Sequence, residues 1–160
     1  MENLTPNRYV NLLRNSGFRA LFGDENNKDV VIGVLNMLLP AQHQVTDITY
    51  LRTELQGPII TNREFRYDFV CRDTKGLTFI VEMQKAEQQF FKDRSVFYST
   101  FPIQNQGKRG IWDFKLKGVY TVGILDFVFP DHEYPQDSLR HEVKLVDVDD
   151  KHVFYDKLTF

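Results

Sequence analysis

The sequence is short of cysteine, of long apolar runs, of any excess of positive charge, and of the glycine-rich loops that cradle phosphates. One cysteine, Cys71, cannot close an internal disulfide or build a cysteine zinc site, so the chain must be held by its core alone. A lone thiol fits a reducing, cytoplasmic compartment. No apolar stretch is long enough to cross a bilayer, and the first fourteen residues lack the apolar segment and cleavage site of a signal peptide. A formal net charge of -2 argues against a domain that grips nucleic acid through bulk charge. It does not exclude an enzyme that touches nucleic acid briefly, because acidic metal ligands subtract from a basic rim. The four histidines, His43, His132, His141 and His152, are scattered, which removes a histidine metal cluster or a serine–histidine pair from consideration.

What is abundant is aromatic side chain: fourteen Phe and seven Tyr in 160 residues, 42% of which are apolar. That load points to a sheet-rich interior large enough for one domain. No repeat, low-complexity tract or linker divides the chain, so residues 1–160 are expected to form a single domain. It breaks off at Thr159-Phe160 just after an apolar alternation begins, so it is expected to stop short of a further C-terminal region.

Helical spacing of Val30, Val31, Val34, Leu35, Leu38 and Leu39 predicts a helix over 27–39, stopped by Pro40, with Asp24 or Asn26 as its cap. Upstream, Phe18, Leu21 and Phe22 read as an aromatic turn. Strands are expected over 45–55, 64–72 and 77–84, with turns at Gln56-Gly57-Pro58 and Asp73-Thr74-Lys75-Gly76. In the second strand Phe65, Tyr67, Phe69 and Cys71 alternate against Glu64, Arg66, Asp68 and Val70. A helix over 86–105, disturbed by Pro102, then a buried strand over 118–129 and a late hairpin closed by Asp149-Asp150 complete a mixed α/β sheet flanked by helices.

Chemistry concentrates in one hairpin. A three-residue loop, Thr74-Lys75-Gly76, would put Gly76 where the backbone must turn left-handed, so that Asp73 pairs with Leu77. Paired numbers in an antiparallel ladder keep a constant sum, and counting back sets Asp68 opposite Glu82. Gln84, two residues on, projects from the same face. The spacing thus predicts two carboxylates and an amide on one patch, deep in apolar strands. Carboxylates so close need a shared proton, an inserted Lys or Arg, or a bridging cation. The same pattern also fits a solvated face with Arg66 or Arg63 as partner, and spacing alone leaves both open.

The run from Tyr67-Asp68 through Gly76 to Val81-Glu82-Met83-Gln84 resembles the PD-(D/E)XK nuclease superfamily, and within it the PD-(D/E)XK nuclease family transposases, related to recombination-promoting nucleases. Phe22-Gly23, Leu35-Asn36, Arg94 and Tyr98, and Val119-Tyr120 leading into Ile124-Leu125-Asp126-Phe127 extend the likeness along nearly the whole chain. The resemblance implies a restriction-endonuclease-like αβββαβ core and an endonuclease acting on DNA. It implies Asp68 and Glu82 as ligands of Mg2+ (or Mn2+), the Met83 carbonyl as a third ligand, and Gln84 as an orienting group. The chain departs from the superfamily name twice: Tyr67 stands where the Pro would be and Gln84 where the Lys would be, the latter a departure this branch commonly shows. Lys85 would point to the opposite face. The competing expectation is a catalytically silent nucleic-acid or protein-interaction module on the same fold, and a homo-oligomer is left open.

Of the other polar residues, Asp29 reads as an acid favoured at a helix start. Arg94 and Tyr98, four apart, either contact a phosphate backbone or lock their helix to the sheet. Lys108 and Arg109 read as a solvated basic pair, and Trp112 as core or rim packing rather than a stacking platform.

Overall fold

The computed structural model describes residues 11, 13–55, 65–87, 89–130 and 138–160. Helix α1 spans Asn15–Phe22 and α2 spans Lys28–Leu38, joined by a 3-10 turn at Glu25–Asn27 that the Asp24 carboxylate caps by accepting the Asn26 N–H. The expected aromatic turn is therefore a full helix, and Asp24 caps the link rather than α2 itself. Strands follow as β1 (Ile48–Tyr50), β2 (Glu54–Leu55), β3 (Phe65–Arg66), β4 (Phe69–Asp73) and β5 (Thr78–Gln84). Then come α3 (Phe91–Gln104), β6 (Val119–Leu125), β7 (Lys144–Val146) and β8 (Val153–Thr159). Among the described residues no helix is long and apolar enough to cross a membrane.

Six strands form one mixed sheet in the order β1-β4-β5-β6-β8-β7, and β2 pairs with β3 separately. The β4–β5 hairpin is antiparallel, while β5 to β6, the two strands joined through α3, is parallel. This is the expected α/β arrangement of helix, three strands, helix and strand. Every residue of β5 is buried, as a central strand covered on both faces must be. One face packs Phe69, Cys71, Phe79, Val81 and Met83 against Phe18, Phe22, Val31 and Leu35 of the first two helices. The other packs Val70, Ile80 and Val119 against Tyr98 of α3. At Gly123 of β6 α3 comes close: a Cβ there would lie 3.0 Å from the Phe91 ring.

The predicted register holds. Phe69 pairs with Val81, Val70 with Ile80, Cys71 with Phe79 and Arg72 with Thr78. Gly76 takes the left-handed conformation, φ 86°, and the Asp73 carboxylate accepts the Lys75 and Leu77 N–H groups at 2.9 and 2.7 Å, fastening the turn.

The strand expected over 118–129 ends at Leu125 and is buried only in its first half, and two other expected strands are split. The 45–55 segment is split into β1 and β2, and the 64–72 segment is broken at Tyr67-Asp68 into β3 and β4. The expected Gln56-Gly57-Pro58 turn, Arg63, Glu64 and His132 lie outside the described residues. The break moves Tyr67 off the face it was expected to share with Phe69: it packs with Val70 against α3, its ring edge-on to Tyr98 at 5.5 Å.

The reason lies in α3. This helix starts at Phe91, later than periodicity suggests, because Phe90 before it adopts a left-handed φ of 63°. Pro102 stays inside the helix and has no N–H to give the carbonyl of Tyr98, four residues back. The Tyr67 hydroxyl donates to that carbonyl instead, at 3.0 Å. Tyr67→Phe should therefore leave a buried acceptor unsatisfied and lower stability by about 1–2 kcal/mol in urea unfolding. An unchanged midpoint would mean that water takes the hydroxyl's place.

Candidate active site

Asp68 sits on the bend just before β4, one step past the Phe69↔Val81 pair, and the ladder's arithmetic continues through it: 69 + 81 and 68 + 82 give the same sum. The two acids meet there. The Asp68 backbone N–H donates to Glu82 Oε1 at 3.2 Å, and the Met83 N–H donates to Asp68 Oδ2 at 3.0 Å. Each acid is thus oriented by the other's strand. Their surroundings differ: Glu82 is 3% exposed, whereas Asp68 is exposed, contrary to the expectation that both lie deep in the sheet. The strand break is the cause, since the bend lifts Asp68 out of the ladder.

Glu82, Gln84 and Ile80 share the face of β5 that looks toward α3. Gln84 is buried, and its carbonyl accepts the Asp126 N–H at 3.0 Å, tying the end of β5 to the end of β6. Backbone bonds to β4 come from odd-numbered residues of β5, as in Asp73 N–H to the Leu77 carbonyl. Bonds to β6 come from even-numbered ones, as in Thr78 N–H to the Gly118 carbonyl. Met83 consequently turns its backbone groups toward the side on which Asp68 stands, consistent with the bond its N–H makes.

Helix α3 adds a cation. Arg94 lies with one guanidinium nitrogen 3.8 Å from Glu82 Oε2. Its guanidinium carbon is 5.7 Å from the Phe91 ring centre and 5.8 Å from that of Tyr98, within cation–π range of both. Residues 91, 94 and 98 lie on one helical face, so these rings frame the charge and aim it at the acids. Arg94 thus stands beside the acidic pair. Tyr98 is buried and joins α3 to the sheet. Asp29 is exposed in the first turn of α2, where a helix favours an acid.

Burial pushes the Glu82 carboxyl up to about 7, and the nearby Asp68 charge adds to the effect. The Asp68 N–H and Arg94 pull in the other direction without cancelling it. A carboxyl raised from its ordinary 4.5 releases its proton more readily in the unfolded chain than in the folded one. Its contribution to stability is full below pH 4.5 and is lost as the pH rises through about 7. Without divalent metal the protein should therefore lose on the order of 3 kcal/mol through this group between pH 4.5 and 8. Urea midpoints in EDTA at pH 5 and pH 8 would show it, and Glu82→Gln, which keeps the shape and removes the titration, should flatten the difference.

The donor set is made of oxygen: one buried carboxylate, one exposed carboxylate and backbone carbonyls. Among the described residues no group of three or more His, Cys, Asp or Glu side chains could hold a metal. That excludes from the described region an all-protein cage of the zinc kind. It suits a hard cation that takes one or two carboxylates and keeps most of its water. The unfavourable closeness of Glu82 to Asp68 is the kind that such a cation relieves.

A family model described as PD-(D/E)XK nuclease family transposase matches residues 14–160. No curated protein and no solved structure matches the chain.

Proposed function

The chain belongs to the PD-(D/E)XK nuclease family transposases, and from that membership we propose that it is a divalent-metal-dependent endonuclease that hydrolyses phosphodiester bonds of DNA at Asp68 and Glu82. The observation that carries this reading is the mutual locking of the two acids, each accepting a backbone N–H from the other's strand. Asp68, Glu82 and the Met83 carbonyl would hold the cation, Mg2+ or Mn2+. When bound, such a cation polarises a phosphate oxygen and eases deprotonation of water.

The chain's own residues do the rest. Asp68, open to solvent, meets the arriving phosphate and its water, while buried Glu82 is held at Oε1 by the Asp68 N–H and faces the Arg94 charge at Oε2. Gln84 carries no charge, so it acts by orienting: its amide faces the same side as Glu82 and offers a donor and an acceptor to a water or phosphate oxygen. Arg94 supplies the fixed positive charge that this strand position lacks.

The test is cleavage of supercoiled plasmid by the purified chain in Mg2+ or Mn2+, with EDTA as the control. Nicking that EDTA abolishes supports the reading. The competing one, a silent module on the same fold, draws on the neutral Gln84, and it expects neither nicking nor Mn2+ binding in calorimetry. A role in transposition or recombination is a further part of this proposal and rests on the family alone.

A further inference from the structure

Most of the segment between α3 and β6 is exposed. Gln106 closes its neck: the side-chain oxygen accepts the Lys117 N–H at 2.6 Å, and the side-chain nitrogen donates to the Lys117 and Pro102 carbonyls, each at 3.2 Å. Above this neck Trp112 lies over Gly107, whose added Cβ would stand 3.9 Å from the indole. Phe114 lies against Trp112 with ring centres 4.6 Å apart and the planes tilted by 31°. Phe114 is 76% exposed, yet it is held at a φ of 56°, a conformation that bulky side chains rarely adopt. Strain that keeps an aromatic ring in water serves no core, and such strain clusters at binding sites. The neighbouring Ile111 is fully exposed as well. The same segment carries exposed Lys108, Arg109, Lys115 and Lys117 against the single acid Asp113, in a chain whose net charge is -2.

From this we infer that the Gly107–Gly118 loop binds single-stranded nucleic acid, a base stacking on the exposed ring of Phe114, which Trp112 backs, and phosphates pairing with the loop's cations. The charge complementarity selects a polyanion over a protein partner. The exposed Phe114 ring selects unstacked bases over a duplex, whose bases already have neighbours. The loop stands at the opposite end of β5 from Glu82, since Gly118 bonds to Thr78 at the strand's start. Four residues of strand, roughly 13 Å, separate Thr78 from Glu82, so a bound strand would be held away from the acids. The inference does not depend on the cleavage reading.

Trp112 is the chain's single tryptophan, so its fluorescence reports on this loop alone. Titrating the full chain in EDTA with a twelve-residue oligothymidylate should quench it. Phe114→Ala should weaken binding by roughly 5- to 100-fold and Phe114→Tyr should restore it. Neutralising Lys108 and Arg109 together should flatten the salt slope by about 1.4. Asp68→Ala should bind as the natural chain does, which keeps this result separate from any failure to cleave. Equal quenching by polyphosphate, which has charge and no bases, would overturn the inference. So would affinity unchanged by Phe114→Ala, or sedimentation showing that the rings are covered by a second copy of the chain while oligothymidylate fails to bind.

Discussion

Asp68→Ala is expected to lower plasmid cleavage by roughly a thousandfold or more, with the fold intact. Removing a group that stabilises charge in the transition state costs about a hundred- to a thousandfold, and if Asp68 is a metal ligand, as proposed, its loss adds the loss of the cation. Asp68 is the better target of the two acids because it is exposed and stands outside the ladder, so truncation leaves no cavity in the core. What it gives up structurally is one hydrogen-bond acceptor, that of the Met83 N–H. Glu82 is buried, and truncating it to Ala would mix a packing defect with a chemical one. Glu82→Gln is the cleaner change: cleavage should fall as far, while the metal-free protein becomes more stable above pH 7 because the burial penalty on the charge is gone. A variant that loses activity while gaining stability cannot be explained by unfolding. Equal nicking by the natural chain and Asp68→Ala would sink the proposed site, and calorimetry with Mn2+ would then show whether the acids bind metal at all.

The facing of these acids could be read from the sequence because every step toward it is local. Gly76 marks the one place in the turn that needs a left-handed backbone, and strict alternation on either side leaves a single register that buries Phe69, Cys71, Phe79 and Val81 together. Once Asp73 is set against Leu77, the position of Asp68 follows by counting. What the sequence hid depends on contacts between distant segments. Nothing near Tyr67 announces that its hydroxyl will serve a carbonyl thirty-one residues away, freed by a proline in another element. That bond pulls Tyr67 across to the α3 face and breaks the strand, and the break leaves Asp68 in solvent. The docking of α3 likewise decides whether Arg94 meets the acids or the solvent, which its spacing to Tyr98 could not reveal. Trp112 reads as core or rim packing and is half-buried, and what the spacing could not reveal is the exposed Phe114 ring held against it. The density of Lys and Arg around it was the available signal.

Arg94→Gln should cost roughly a hundredfold in cleavage rate, the low end of what a single electrostatic donor contributes. The argument begins from a charge deficit. The strand position that carries a Lys in the superfamily motif holds neutral Gln84 here, yet negative charge still has to be stabilised as a phosphodiester is attacked. Arg94 approaches the same carboxylate from the helix, 3.8 Å from Glu82 Oε2, and two aromatic rings fix its planar head in place. Arg94→Lys should recover only part of the loss, because an ammonium keeps the charge and lacks the flat surface that lies against Phe91 and Tyr98. The decisive comparison is the double variant. If a cation is what the site requires, Gln84→Lys placed in the Arg94→Gln background returns the charge from the strand side and should restore at least tenfold of the rate. A purely structural Arg94 predicts otherwise: the double variant would stay as slow as Arg94→Gln, and both would show a lowered urea midpoint. Loss of Mn2+ affinity in Arg94→Gln would also speak against the charge argument, because removing a cation beside Glu82 lessens its repulsion of the metal. Cleavage should therefore fall while metal binding holds or tightens, a separation that distinguishes a group acting on the phosphate from one that builds the metal site.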